Sequence, residues 1–205
     1  MRILAILALL TLANCAFTTD YIDVTYGAAR SQPQLPGASA VGLTVTAEDA
    51  RTDHRDRVSS KRNGFGMDTA PILSTTDVVA ETSRAIGAEL MAKGFRLGGN
   101  DARVEVDVLR FYNEFRMGFF AGDAVSEITL NVQVLDRLGR PVYSRIYSAK
   151  GLEPNIQVMV GHNAEASLNN ALKKVVPLVV DDPAFLNVLL SQGAYSIPGS
   201  ISPTS

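Results

Sequence analysis

The chain has 205 residues, 46% of them hydrophobic, a formal net charge of −2, one cysteine and no tryptophan. This length suits one domain with a sizeable core, so weak an acidity argues against a dedicated nucleic-acid surface, and a lone thiol excludes an internal disulfide or a cysteine-based metal site. Beyond the first residues no run of about twenty apolar residues occurs, so the folded part is expected to carry no membrane-spanning helix.

Arg2 and the apolar stretch Ile3 to Leu12 have the charge and length of the first two parts of a signal peptide, and the stretch is too short to cross a bilayer. Residues 1–14 are therefore expected to be removed. Leu12-Ala13-Asn14-Cys15 resembles the bacterial lipobox, with Asn14 in place of the usual glycine or alanine. The resemblance implies that the Cys15 thiol becomes a diacylglyceryl thioether and that its freed amine is acylated. More than one acyl chain makes membrane attachment stable, since one alone is marginal. The competing reading is an ordinary secretory signal cut elsewhere, for instance after Ala16. Ala16, where an aspartate would suggest inner-membrane retention, points to the outer membrane with the domain facing the periplasm.

Residues 15–39 read as lipid anchor and flexible tether, because prolines and polar residues break any sustained period, although Tyr21, Ile22, Val24 and Tyr26 alternate enough for a strand. Residues 40–192 carry the regular patterns. Val41, Leu43 and Val45 alternate as a strand. Thr76 to Lys93 has apolar residues at helical spacing, with Ser74 or Thr75 placed to cap it, Asp77 complementing its positive end and Gly94 stopping it. Gly98 to Asp101 reads as a turn. Strands follow from Val104 to about Phe115, from Ile128 to Val134, and, after the turn Asp136 to Arg140, from Val142 to Tyr147. A last long helix is expected over 161–180, with a bend at Pro177 or a break before Asp181, followed by a short helix around Phe185 to Leu189. Residues 193–205 read as a disordered tail. The fold class that results is α+β: a two-layer domain with an antiparallel sheet packed against helices.

In this order the lipobox-like start, Val41 to Val45, Asp49-Ala50-Arg51, Lys61-Arg62-Asn63-Gly64, the helix ending Gly94-Phe95 and the last helical region with Ala171 and Leu172 resemble the YajG-type bacterial lipoproteins over residues 1–192. The resemblance implies an outer-membrane lipoprotein of unsettled biochemical role and gives no catalytic residues to carry over.

Candidate chemistry concentrates in two loops. Glu48 to Arg57 holds four acids and His54, but Asp49, Asp53 and Asp56 alternate with Arg51, Arg55 and Arg57, which oppose a divalent cation, so no metal site is assigned. Lys61-Arg62-Asn63-Gly64-Phe65-Gly66 offers cations beside an aromatic ring and lacks the order of a phosphate-binding loop. Arg51, Lys61, Arg62 and Phe65 are therefore the expected partner-binding residues, for an envelope protein, a glycan or an anionic lipid. His162 has no nucleophile or second ligand placed beside it by the sequence, and no cofactor is implied. Phe111, Tyr112, Phe115, Phe119 and Phe120 form the densest aromatic group, either core or an exposed hairpin tip. The expected function is that of a non-enzymatic envelope lipoprotein that binds or positions another envelope component. The alternatives are a periplasmic hydrolase or carbohydrate-modifying enzyme using the acidic loop and a histidine, and an oligomeric spacer.

Overall fold

Alternation over Ala102–Met117 (β6), Gly122–Asp136 (β7) and Pro141–Ile156 (β8) builds an antiparallel meander, and β7 is its centre, with every second residue buried along its whole length. In this computed structural model, which describes residues 17–63 and 65–194, the other elements are Asp20–Ile22 (β1), Gly42–Asp49 (β2), Ser59–Arg62 (β3), Asp68–Ser74 (β4), Val78–Ala92 (α1), Arg96–Leu97 (β5), Gly161–Val180 (α2) and Pro183–Ala194 (α3). The expected signal peptide, Cys15 and the tail from residue 195 lie outside the described residues.

The sheet differs from the expected antiparallel one. Its order is β5-β2-β6-β7-β8, β2 runs parallel to both β5 and β6, and the whole curls into a half-barrel. A parallel pair requires a crossover, and residues 50–101, which contain β3, β4 and α1, provide it. Alternation reports which face a residue takes but carries no strand direction. A second, three-stranded sheet, β1-β4-β3, is also mixed, with β1 parallel and β3 antiparallel to β4.

The first helix starts two residues later than expected and has a different cap. Asp77 accepts hydrogen bonds from the Val79 and Ala80 amides at 2.9 and 3.1 Å, so its carboxylate both satisfies first-turn donors and faces the positive helix end. Thr75 instead donates its amide and hydroxyl to the Ile22 carbonyl, extending the β1–β4 contact. At the other end Gly94, at φ 100°, donates to Met91 and Phe95 donates to Leu90, which closes the last turn with a left-handed glycine.

α2 covers the meander with a stripe of fully buried residues, Ala164, Leu168, Ala171, Leu172, Val175, Val176 and Val179. It continues through Pro177 and ends at Val180, so the expected interruption falls at Asp181-Asp182, where the chain turns by 53° into α3. A proline disturbs only the turn before it, and Pro177 still accepts the Asp181 amide through its own carbonyl. α2 lies so close on β8 that a Cβ built on Gly151 would overlap the Ser167 carbonyl and the Ala171 amide. Beside this contact a buried polar set, Ser59, Asn113, Ser126 and Ser167, is mutually hydrogen-bonded and joins β3, β6, β7 and α2.

The expected flexible tether is, from Asp20 onward, part of the domain. Ile22, Val24 and Tyr26 are buried, and the segment runs along the helices with its polar groups taken by side chains. Thr25 donates its amide to Asn169, Tyr26 donates its amide to Glu81 at 2.6 Å, and the Tyr26 hydroxyl and the Arg30 amide both reach Glu89 at 2.6 and 2.9 Å. Gln32 adds a bond of 3.0 Å to the same carboxylate. Glu89 has no exposed surface. Burial alone would raise its pKa, but the bonds from Tyr26 and Arg30 outweigh this and hold it below the ordinary value of 4.5. Lys93 and Arg30 then pair with Asp181 at 2.8 and 2.9 Å, tying the segment to the end of α2.

Glu89→Gln removes the charge that Tyr26, Arg30 and Gln32 converge on, at a cost of about 2–3 kcal/mol at neutral pH in urea unfolding. Because the folded pKa is depressed, this stabilisation is complete above the unfolded value and fades as pH falls through the folded one. The difference between wild type and variant should therefore shrink on acidification below pH 4.5, whereas a pH-independent difference would contradict an ionised Glu89. Gly151→Ala forces backbone atoms of α2 off β8 and should cost roughly 3 kcal/mol or prevent folding. A neutral effect in thermal unfolding would show that the two elements have slack.

Candidate functional site

The loop after β2 is organised by one guanidinium. Arg51, 6% exposed, makes a two-pronged contact with Asp49 at 2.8 Å on both arms and also donates to the carbonyls of His54, Arg55 and Arg57. Arg55 returns bonds to the carbonyls of Arg51 and Asp49 at 2.6 and 2.8 Å. The planar fork of arginine suits this stapling of several carbonyls at once. Arg51 was expected at a partner-binding surface, and the structure places it inside the loop as its brace.

The same bonds decide what the acids can do. The hydrogen bond from Arg51 holds Asp49 below the usual carboxylate range, and that from Arg57 does the same for Asp56. Such carboxylates stay ionised and paired, which makes them poor proton donors. His54 is stacked on Tyr112, with ring centroids 4.2 Å apart and an interplanar angle of 17°. It adopts φ 55°, the left-handed conformation that the tight loop requires. His162 stands at the start of α2, on a different element. A cleft of about 320 Å³ does lie between this loop and the start of α1, but its arginines and carboxylates are those already paired, together with the Asp77 cap. Among the described residues no group of three or more metal-ligating side chains occurs.

The second loop is divided between interior and surface. Lys61 is 4% exposed and donates to the Thr18 carbonyl at 3.0 Å and to Asp20 at 2.7 Å, so the cation expected to meet a partner instead fixes the incoming chain. The other oxygen of Asp20 accepts the Gly161 amide at 2.7 Å, at the start of α2. Arg62 is half-exposed and paired with Asp68 at 3.0 Å. Phe65 is 91% exposed, on a turn in which the Asn63 side chain accepts the amides of Phe65 and Met67, both at 3.0 Å. Of the four expected residues, only Arg62 and Phe65 face solvent.

The aromatic hairpin is divided in the same way. Phe111, Tyr112 and Phe115 are buried, while Phe119 and Phe120 are 95% and 88% exposed and stack edge to face on each other. The sequence reading missed the carboxylates that organise the fold: Asp20, Glu81, Glu89 and Asp182. Glu81 and Glu89 lie on the apolar face of α1 with Val78, Ala85 and Ile86, and an acid at a core position of a helical period is the signal that could have revealed them. Asp182 accepts from Tyr143 and Tyr147 at 3.0 and 2.7 Å and pairs with Arg145. Burial would raise its pKa, but these bonds hold it well below the usual range.

Among the described residues, no layer covers one surface of the five-stranded sheet. Here Asn131 and Gln133 of β7 donate to Asp107 of β6 at 2.9 and 3.4 Å, Ser144 of β8 to Asn131 at 3.4 Å, and Thr129 meets Ser148 at 3.0 Å. Ile146 stands among them, 63% exposed. β8 pairs with β7 alone and so forms the sheet's long edge. α2 side chains reach part of that edge, Lys174 at the Lys150 carbonyl and Asn170 at the Leu152 carbonyl.

Comparison with curated proteins gives no match. Among solved structures, a protein from Xanthomonas campestris is 16% identical, with 88% of this chain and 99% of that one covered and a TM-score of 0.57, which shows a shared fold. A minor lipoprotein of Acinetobacter baumannii is 12% identical, covering 73% of this chain and 95% of its own, at a TM-score of 0.43. An uncharacterized lipoprotein B of Nitrosomonas europaea is 11% identical, covering 77% and 94%, at a TM-score of 0.39. The family described as uncharacterized lipoprotein matches residues 29–189, most of the domain, and the chain belongs to that family.

Proposed function

We propose that the protein is a non-enzymatic lipoprotein of YajG type, acylated at Cys15 in the outer membrane, which holds a periplasmic domain where it can bind another envelope protein. The observation that carries this reading is the state of the ionisable groups. The arginines and carboxylates of the cleft, together with Lys61, are engaged by partners within the chain, whereas the surface left open is a polar sheet face beside a long strand edge. Ladder side chains that bond one another, with Ile146 as an apolar anchor, form a recognition surface, and an extended partner segment can pair with the Val142 to Ser148 stretch of β8. Recognition by Arg51 and Lys61 has no support from this arrangement.

Two measurements test the proposal. Intact mass of the purified mature protein should show acyl groups on Cys15, and Cys15→Ser should leave the protein in the soluble periplasmic fraction. A mature chain with an unmodified Cys15 would rule out the anchor. A photo-crosslinking residue at Ile146 should give one discrete adduct in intact cells, lost with Ser144→Asp and Ser148→Asp, while the same residue at Met91 on α1 gives none. Equal adducts from both positions, or turnover of an envelope substrate by purified protein, would overturn binding at this face.

A further inference from the structure

The exposed large apolar residues include a set gathered at one end of the domain. β6 and β7 meet there in the hairpin of residues 118–121, and β8 finishes beside it, since Gly122 pairs with both Met117 and Ile156. α2 starts from the same end and runs away from it. Its Gly161 binds Asp20 and its Asn169 binds Thr25, so the N-terminal segment also runs away from that end, and residues 17–19 point toward it. β4 runs parallel to β1, which puts its first residue, Asp68, and hence the 63–67 turn, on the same side. Phe17, Phe65, Met67, Met117, Phe119 and Phe120 therefore surround the point at which the chain leaves for Cys15, and their exposures run from 43% to 95%.

Six large apolar side chains at one end, at the tips of two hairpins and a chain exit, form no part of the core and are costly to leave in water. The position of Cys15 in the sequence supplies their occupant. Only Ala16 separates Cys15 from Phe17, so the two Cα atoms are at most about 8 Å apart across two peptide units. An acylated Cys15 sits at the bilayer surface, and a tether this short brings the rings to the same depth.

We infer that this end is a membrane-docking tip, whose aromatic and methionine side chains enter the phospholipid interface around the acylated Cys15. This rests on the anchor reading above and adds an orientation to it. Arg62 and the exposed Arg116 stand behind the rings, where a cation meets phosphate headgroups. The β7–β8 turn with Leu138 is carried to the far end, roughly 45 Å away along a strand of this length. The domain then stands upright on the membrane, with the open face of the sheet along its side.

The absence of tryptophan and the single thiol make the test direct. The mature chain, from Cys15 onward, is coupled through that thiol to a maleimide lipid in vesicles of phosphatidylethanolamine and phosphatidylglycerol, so the result is independent of acylation in cells. Phe119→Trp and Phe65→Trp should each shift their emission to the blue and lose most of it when the acyl chains are brominated. Leu138→Trp should do neither. All three positions are exposed, so unchanged melting temperatures confirm the fold. Tip tryptophans that stay unquenched on tethered vesicles would overturn the inference and leave the anchor reading intact. A blue shift that depends on protein concentration and needs no vesicles would overturn it in favour of a second copy on the tip. An unmodified Cys15 in the cellular protein would overturn the anchor reading and this inference with it.

Discussion

A carboxylate with no exposed surface holds this domain's N-terminal segment. Between β1 and the turn before β2 the chain crosses the helices without regular structure, and its amides need partners that a neighbouring strand would normally supply. Glu81 and Glu89 supply them from α1, taking the Tyr26 and Arg30 amides, and Asp20 and Lys61 do the corresponding work at the start of the segment. A charged acceptor makes a stronger bond than a neutral carbonyl, and here it also offsets its own desolvation by collecting several donors. The three-stranded sheet leans on this arrangement, because β1 is only three residues long and these bonds add to its short ladder with β4, the Thr75 bonds to Ile22 and the burial of Ile22.

The same economy of charge bears on function. Most basic groups in the two loops that attracted attention are spent on backbone carbonyls and neighbouring acids, and a guanidinium or ammonium that is buried and paired is a structural part. What remains for recognition is backbone edge, short polar side chains and isolated apolar groups. In the reading proposed above, that is chemistry for holding a chain or a surface.

The elements whose patterns were strongest were legible in the sequence. β6, β7 and β8 lie where alternation placed them, although β8 extends well past Tyr147 to Ile156, where Gly151 and Pro154 blur the period. Both long helices and the Gly94 stop were also legible. Three things were not. Strand direction leaves no trace in alternation, so the pattern cannot distinguish the parallel β2 from an antiparallel strand. The segment now containing β1 looked like a tether because its partners are side chains some fifty or more residues away, Glu81 and Glu89 above all. Arg51 and Lys61 looked available because local sequence records charge and says nothing of burial, and the Asp49-x-Arg51 spacing was the one local hint of a pair. The aromatic hairpin could be read only as a cluster, since which rings turn inward depends on where the covering helix ends.

With Cys15 acylated as proposed, the way β1 joins its sheet sets how the domain responds to tension on that anchor. A pull from Cys15 acts along the strand, away from the start of α2. The β1–β4 ladder then carries load in shear, with its three registered residue pairs strained together, where a perpendicular pull would open them one at a time. Lys61 meets the force first through the Thr18 carbonyl, and Asp20 passes it to both β3 and the first turn of α2. On that reading, the segment next to the anchor is built into the domain as a mechanical clamp.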